Sequence, residues 1–374
     1  MSKLFCPEKI YIERGAEGYS FTKSFLKRLS SKGTRYQKYL VPSEIIPDKK
    51  KLIKEIRKAP DPIGAGKKYL LLAVDRGRAF KPFPIPEGTV PCDFHSLHLV
   101  EGCDLECSYC ILQVYLTNPL LTVYVNVEEI LNRLESFLKS RPGQFFRVGT
   151  GQLADSLSLD HLTAHTESLV PFFAGQENAV LELKTKSVNI ARLAGLNPRG
   201  KTVVSWSMNT KKIQREEEHK CAPIEERIQA AKQCIDWGYR VGFHFDPVID
   251  YEGCLEDYEE VMEEIFSEIP SGKIAWVSLG SLRFMPELKS IMEKRFPKSP
   301  LPYAEWTRGL DGKFRYPKFR RVELYERLAA KLSKCIPHVP VYLCMETEEM
   351  WKRTFCEEST ALRISKRLNE QVVN

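Results

Sequence analysis

Gly102-Cys103-Asp104-Leu105-Glu106-Cys107-Ser108-Tyr109-Cys110 places three cysteines at Cys-x3-Cys-x2-Cys spacing. Three thiolates in one short loop can each hold one iron of a cubane iron–sulfur cluster. A structural zinc ion takes four protein ligands, usually from paired Cys-x2-Cys units, and no second pair follows this loop. Zinc, and three core cysteines drawn together by chance, are the competing readings of the stretch taken alone.

A strand candidate, Ser96–Val100, leads into the loop. Beyond it, apolar runs alternate with helical patterns. Phe145–Val148, Ala179–Leu183, Thr202–Ser207, Arg240–Phe245 and Ile274–Leu279 read as strands. Val127–Leu138, Pro223–Trp237, Leu255–Ile269 and Glu287–Arg295 read as helices, the first with Ile130, Leu131, Leu134, Phe137 and Leu138 on one side. Strands in series with helices between them predict an α/β fold with a parallel sheet. Right-handed crossovers curl such a sheet into a partial (β/α)6 TIM-type barrel, here over residues 91–300. Such folds place their chemistry on loops at the carboxyl ends of the strands, and the cysteine loop follows the first strand. A cluster held there by three thiolates keeps one iron open. The amine and carboxylate of S-adenosylmethionine can chelate that iron, and an electron from the reduced cluster then cleaves the sulfonium bond to a 5′-deoxyadenosyl radical.

Residues 1–90 read as an N-terminal α/β extension. Helices are expected over Ser20–Ser31 and Lys49–Arg57, and a strand over Tyr69–Val74, before Pro82, Pro84 and Pro86 make an extended connector. Lys49-Lys50-Lys51 is most simply a solvated helix face. Residues 301–374 read as a C-terminal extension. In it Lys313-Phe314-Arg315-Tyr316-Pro317-Lys318-Phe319-Arg320-Arg321 interleaves cations and rings. Arg315, Lys318, Arg320 and Arg321 could neutralise phosphates while the rings stack on bases or wedge into a duplex. A solvated turn before a helix over Val322–Leu332 is the plainer alternative. A strand over Val339–Cys344 and helices at Glu346–Met350 and Leu362–Leu368 are expected to follow.

The chain has 374 residues, 43% hydrophobic and 28% charged, which excludes collagen, coiled coil and bulk disorder. Its longest apolar runs, such as Tyr69–Val74, are too short to span a membrane. The N-terminus lacks the apolar stretch of a secretory signal, so a cytoplasmic chain is expected. A net charge of +7 is compatible with a polyanionic partner without being evidence for one. The other eight cysteines, Cys6, Cys92, Cys221, Cys234, Cys254, Cys335, Cys344 and Cys356, are scattered and read as reduced, small apolar side chains.

With Tyr109 directly before its last cysteine, the loop resembles that of the radical S-adenosylmethionine superfamily. The likeness extends through Cys110-Ile111-Leu112-Gln113-Val114-Tyr115-Leu116 and Tyr124-Val125-Asn126-Val127-Glu128-Glu129-Ile130. It continues in Asp160-His161-Leu162, Thr185-Lys186, Gly200-Lys201-Thr202, Ser207-Met208-Asn209, Arg227-Ile228-Gln229-Ala230-Ala231, Gly238-Tyr239 and Val241-Gly242-Phe243. In this order, over Cys103–Pro297, the sequence resembles the spore photoproduct lyase family, which reverses a thymine dimer in DNA with an adenosyl radical. The resemblance implies a [4Fe–4S] cluster on Cys103, Cys107 and Cys110, S-adenosylmethionine as cofactor, a nucleic-acid substrate, and an electron donor of flavodoxin or ferredoxin type. It implies that Tyr109 flanks the cofactor and that Lys186 and Ser207 contact it. Gly149, Thr150, Gly151 and Gln152 stand where radical enzymes hold the methionine amine through backbone groups, the glycines allowing close approach. A simple turn is the bland reading of that stretch, and Asp155-Ser156 beyond it would cap the next helix. His244 and Asp246 should share one face at the end of the fifth strand, turned to substrate or, for His244, hydrogen-bonded in the core.

Two departures stand out. The family lyase returns a hydrogen atom to the product radical from a cysteine after the second strand, where this chain has Gln152. The family tyrosine that follows the last cluster cysteine is Ile111 here. Neither residue has an O–H or S–H bond weak enough for a radical relay, so repair of the family lesion is expected to be weak and cofactor cleavage uncoupled. Cys254, Cys344 and Tyr115 are the thiols and phenol that could substitute. A radical enzyme with a non-DNA substrate and a zinc-stabilised nucleic-acid-binding protein without catalysis are the rival functions.

Overall fold

The computed structural model describes residues 4–30, 41–91, 94–355 and 361–373, so Cys92 and Cys356 lie outside the described residues. Seven strands run parallel in one sheet: β1 (Phe94–Leu97), β2 (Phe146–Gly149), β3 (Ala179–Thr185), β4 (Thr202–Ser207), β5 (Arg240–Val248), β6 (Ile274–Ser281) and β7 (Val341–Leu343). They lie side by side in chain order, and Phe80–Pro82 adds an antiparallel strand beyond β1. The expected six strands are thus present, and the C-terminal region contributes a seventh beside β6. The sheet is the curled half-barrel of the expected fold class.

Helices cover the outside. The longer ones are α1 (Val127–Lys139), α2 (Thr166–Ala174), α3 (Ile224–Asp236), α4 (Cys254–Glu268), α5 (Glu287–Arg295) and α6 (Lys318–Cys335). In α1, Ile130, Leu131, Leu134 and Leu138 form the buried stripe read from the sequence. Between β3 and β4 there is only a 3-10 turn, Ala191–Leu193. Parallel strands covered on both faces become near-continuous apolar runs, which is why β3, β4 and β6 were legible. The exceptions point into the barrel: Glu182, Ser205, His244 and Ser278 are buried polar residues on successive strands. Glu182 Oε1 accepts from Ser205 Oγ at 2.7 Å, from His244 Nε2 at 2.8 Å and from Trp276 Nε1 at 2.8 Å.

The lead-in forms a second sheet. Lys9–Glu13, Ser43–Ile46 and Tyr69–Ala73 are joined in it by Leu121–Tyr124 and Val100–Glu101, which flank the cysteine loop on either side. Its apolar layer, with Ile10, Phe25, Leu70 and Val123, is separate from the barrel core. Lys49–Ile56 is the expected helix, capped by Asp48, which accepts from Lys50 N–H. Near the C-terminus the helices are Glu348–Phe355 and Ala361–Val373.

Candidate active site

The cysteine loop is clamped by a segment far along the chain. Glu106–Cys107 pairs antiparallel with Glu218–His219, Cys107 opposite Glu218. Ser108 donates its N–H to the Glu217 carbonyl at 2.9 Å and its hydroxyl to the Glu217 carboxylate, which also accepts from Ser299 Oγ at 2.9 Å. Within the loop Gln113 Nε2 donates to the Ser108 carbonyl at 2.9 Å, and Lys67 Nζ donates to the Leu105 carbonyl. Cys107 Sγ lies 3.6 Å from Sγ of Cys221. Of the scattered cysteines, Cys221, Cys234 and Cys254 are buried as expected, whereas Cys6 is exposed and Cys335 and Cys344 are half-buried.

Above the sheet is a cleft of about 680 Å³ whose walls include Cys103, Cys107, Cys110, Tyr109, Lys186 and Ser207. Gly151 and Gln152 line it as well. An inner cavity of about 160 Å³ reaches down among the polar barrel residues Arg147, Glu182, His244 and Ser278. Gly151, Gln152, Lys184, Asp246 and Arg283 face both spaces. The three cysteines, Tyr109, Gly151, Gln152, Lys186 and Ser207 are therefore brought together, and Gly149 lines the inner cavity. Thr150 is not part of either lining; its hydroxyl donates to Ser156 Oγ at 2.8 Å. The glycines have a packing role: a Cβ at Gly149 would stand 2.2 Å from the Phe94 ring, and one at Gly151 2.9 Å from Cβ of Lys184. Asp155 caps a turn rather than the next helix, accepting from the N–H groups of Leu157 and Ser158 at 3.0 and 2.9 Å. Its carboxylate also accepts from Thr185 Oγ1 and Lys186 N–H, both at 2.7 Å, which fixes the end of β3.

Beneath Tyr109 lies a buried ionic knot that the sequence reading missed. Glu218 accepts from the Tyr109 hydroxyl and from Arg227 Nη2 at 2.6 Å, and Lys186 Nζ is 3.4 Å away. Arg227 Nη1 also donates to the Ser207 carbonyl at 2.7 Å. Burial pushes the Glu218 carboxyl up, but Lys186 and Arg227 outweigh it and hold it at about 2. Deeper in, burial and Lys184 lower His244, whose neutral ring donates from Nε2 to Glu182 and accepts at Nδ1 from Ser278 Oγ at 2.6 Å. His244 is thus both hydrogen-bonded in the core and part of the cavity wall. Asp246 is 3.1 Å from Arg283 Nη1; burial raises its carboxyl, but Arg283 and Lys184 bring it below the ordinary range. Glu182 and Lys184 on β3, and Lys186 just past its end, alternate from the inner cavity to the rim, a period-two signal present in the sequence.

The residues fit a cluster and an adenosine cofactor. Among the described residues no three His, Cys, Asp or Glu side chains converge on a single point as one metal ion requires. A cubane spreads its thiolates over separate irons, and the three cysteines share one cleft. Lys67 Nζ lies 3.3 Å from Glu106 and donates to the Leu105 carbonyl, so a cation stands against the cysteine loop. Gln152 Oε1 is buried without a hydrogen-bond partner among the described residues, as expected of an acceptor awaiting a ligand N–H.

Residues 5–343 match the family model described as spore photoproduct lyase. The chain belongs to the spore photoproduct lyase family. The family's namesake in Bacillus subtilis (strain 168) is 26% identical over 352 residues, covering 91% of this chain and 99% of that one. Spore photoproduct lyase of Clostridium acetobutylicum is 25% identical over 256 residues, 68% of this chain and 74% of its own. A spore photoproduct lyase variant with bound AdoMet and dinucleoside spore photoproduct shares the fold, with TM-score 0.78 at 21% identity over 92% of this chain and 100% of that chain.

The cations of the basic-aromatic segment are engaged in ion pairs within the fold. Arg315 is buried and forms a forked pair with Asp311, one bond being 3.0 Å. Lys318 pairs with Glu349, Arg320 with Asp250 at 2.7 Å, and Arg321 with Glu346. None of the four lines the cleft; Lys313 and Asp311 do. The partners of Lys318, Arg320 and Arg321 at Glu349, Asp250 and Glu346 lie far along the chain, so a local reading of the charge run does not reveal them.

Proposed function

We propose that this chain is a radical S-adenosylmethionine enzyme that acts on thymine-dimer-type damage in nucleic acid. The observation that carries it is the single cleft, at the carboxyl ends of the barrel strands, walled by Cys103, Cys107, Cys110, Tyr109, Lys186 and Ser207. When bound there, the [4Fe–4S] cluster and S-adenosylmethionine would supply a 5′-deoxyadenosyl radical. Lys186 offers a cation for the methionine carboxylate, and Glu218, itself fixed by Arg227, holds it in place. Tyr109 closes the wall beside the cysteines. Gln152 presents an open acceptor between the cleft and the inner cavity, where Asp246, Arg283 and Lys184 supply polar contacts for a base or its backbone. At the mouth, Thr307–Arg308 and Phe314–Arg315 form a hairpin whose tip residue Leu310 is 99% exposed. An apolar tip of this kind can wedge between base steps. The enzyme works in a reducing cytoplasm with a flavodoxin- or ferredoxin-type donor; none of the nine described cysteines is joined in a disulfide.

The test is anaerobic reconstitution with iron and sulfide. The parent should turn brown, and the Cys103→Ala, Cys107→Ala and Cys110→Ala variants should each lose the cluster. Iron retained in the triple variant, or zinc in the purified parent instead of iron, would overturn the reading. Incubation of the reduced enzyme with S-adenosylmethionine and ultraviolet-irradiated DNA should then form 5′-deoxyadenosine and restore thymine residues within the DNA. Cofactor cleavage that no nucleic acid alters would point to another substrate class.

A further inference from the structure

We propose that Cys344 is the hydrogen-atom donor of this enzyme, in place of the family cysteine whose position is held by Gln152. The proposal rests on the reading of the substrate as a thymine-dimer lesion. The chain keeps the cluster loop but carries no thiol at 152 and no phenol at 111, so the product radical needs another source of hydrogen. Three candidates are separated by the fold. Cys254 opens α4 and sits beside Asp250 and Arg320, away from both cavities. Tyr115 lines only the outer cleft and is 47% exposed. Cys344 lines the inner cavity together with Gln152, so its sulfur shares one space with position 152. Among the described residues it is the one thiol in the two linked cavities apart from the three cluster cysteines.

Its placement follows from strand geometry. β7 runs parallel to β6, so its carboxyl end joins the rim where the other strands carry the site. Tyr342 and Cys344 line the cavity while Leu343, between them, is fully buried, the alternation of a strand continued by one residue. The backbone N–H of Cys344 donates to the Leu279 carbonyl at 2.8 Å, which pins it to β6. Met345 then takes a left-handed backbone conformation with φ 55°, and the chain turns away. Arg283 Nη2 donates to Cys344 Sγ at 3.2 Å while Nη1 of the same guanidinium holds Asp246. The sulfur is therefore held in a fixed polar cradle that orients it in the cavity.

In the donor step the S–H bond of Cys344 breaks and a C–H bond forms on the product radical, leaving a thiyl radical on the sulfur. One electron and one proton restore the thiol. The electron comes from a one-electron reductant of the flavoprotein or iron–sulfur class, and the proton from solvent.

Two measurements on the reconstituted enzyme test this. The first compares the parent with Cys344→Ala on the dinucleoside spore photoproduct, reading thymine formed per 5′-deoxyadenosine and the deuterium carried into thymine in D2O. The parent should transfer deuterium from its exchangeable thiol. Cys344→Ala should keep cofactor cleavage and lose coupled thymine, Cys344→Ser should not recover it, and adding Gln152→Cys to Cys344→Ala should. The second measurement needs no turnover: peptide-mapped alkylation by iodoacetamide should label Cys344, and the dinucleoside spore photoproduct should shield it while exposed Cys6 stays reactive. Thymine yield and deuterium content unchanged in Cys344→Ala would overturn the donor while leaving the substrate reading intact. A parent that neither repairs the lesion nor is shielded by it would overturn the substrate reading, and the donor with it.

Discussion

At the scale of single residues, the ionic knot under Tyr109 governs both binding and pH behaviour. Lys186→Ala and Ser207→Ala should weaken S-adenosylmethionine binding without loss of the cluster. A lost charge-assisted hydrogen bond costs about 1.5–3 kcal/mol, or roughly tenfold or more in affinity, readable by calorimetry. Equal affinity in both variants would remove these residues from the cofactor site. Glu218 makes a separate prediction. Its folded value, about 2, lies below the ordinary 4.5. Its contribution to stability is therefore complete above 4.5 and is lost as pH falls toward 2. Urea midpoints should drop across that window, and Glu218→Gln should flatten the drop while costing about 3–5 kcal/mol at neutral pH, because Arg227 is left buried without its partner. The three cluster cysteines were legible because their spacing is local. Glu218 was not, since it meets Tyr109 from 109 residues away through a two-residue ladder that leaves no periodic trace.

At the scale of elements, the barrel strands were readable from their apolar runs to within a few residues. The short strands flanking the cysteine loop were not, because Val100–Glu101 and Leu121–Tyr124 acquire their identity only from partners in the lead-in. Gly149 has a packing role that the sequence does not reveal. Gly149 lines the inner cavity, and Phe94, on the neighbouring strand β1, occupies the place that a Cβ there would take. Gly149→Ala should therefore destabilise the protein by about 1–3 kcal/mol through overpacking, and Phe94→Leu should recover part of the loss in a double-variant cycle. A Gly149→Ala protein with the parent melting temperature would show that the strands part freely.

At the scale of the whole molecule, charge is more evenly matched than the sequence suggests. Arg315, Lys318, Arg320 and Arg321 each serve a carboxylate within the fold. Replacing all four by alanine should lower stability, chiefly by stranding Asp311 and Glu346, and should leave the salt dependence of DNA binding intact. Each phosphate contact contributes about 0.9 to the log–log slope, so a fall of several units would restore the segment as a DNA contact. The two sheets carry a last consequence. Since strands on either side of the cysteine loop belong to the lead-in sheet, the loop is a bridge strung between two supports. The lead-in is not a cassette that can be trimmed or exchanged at the proline connector. A chimera joined there would inherit a barrel from one parent and the anchorage of its cysteines from the other, and the two would have to be transplanted as one piece to keep the thiols in place.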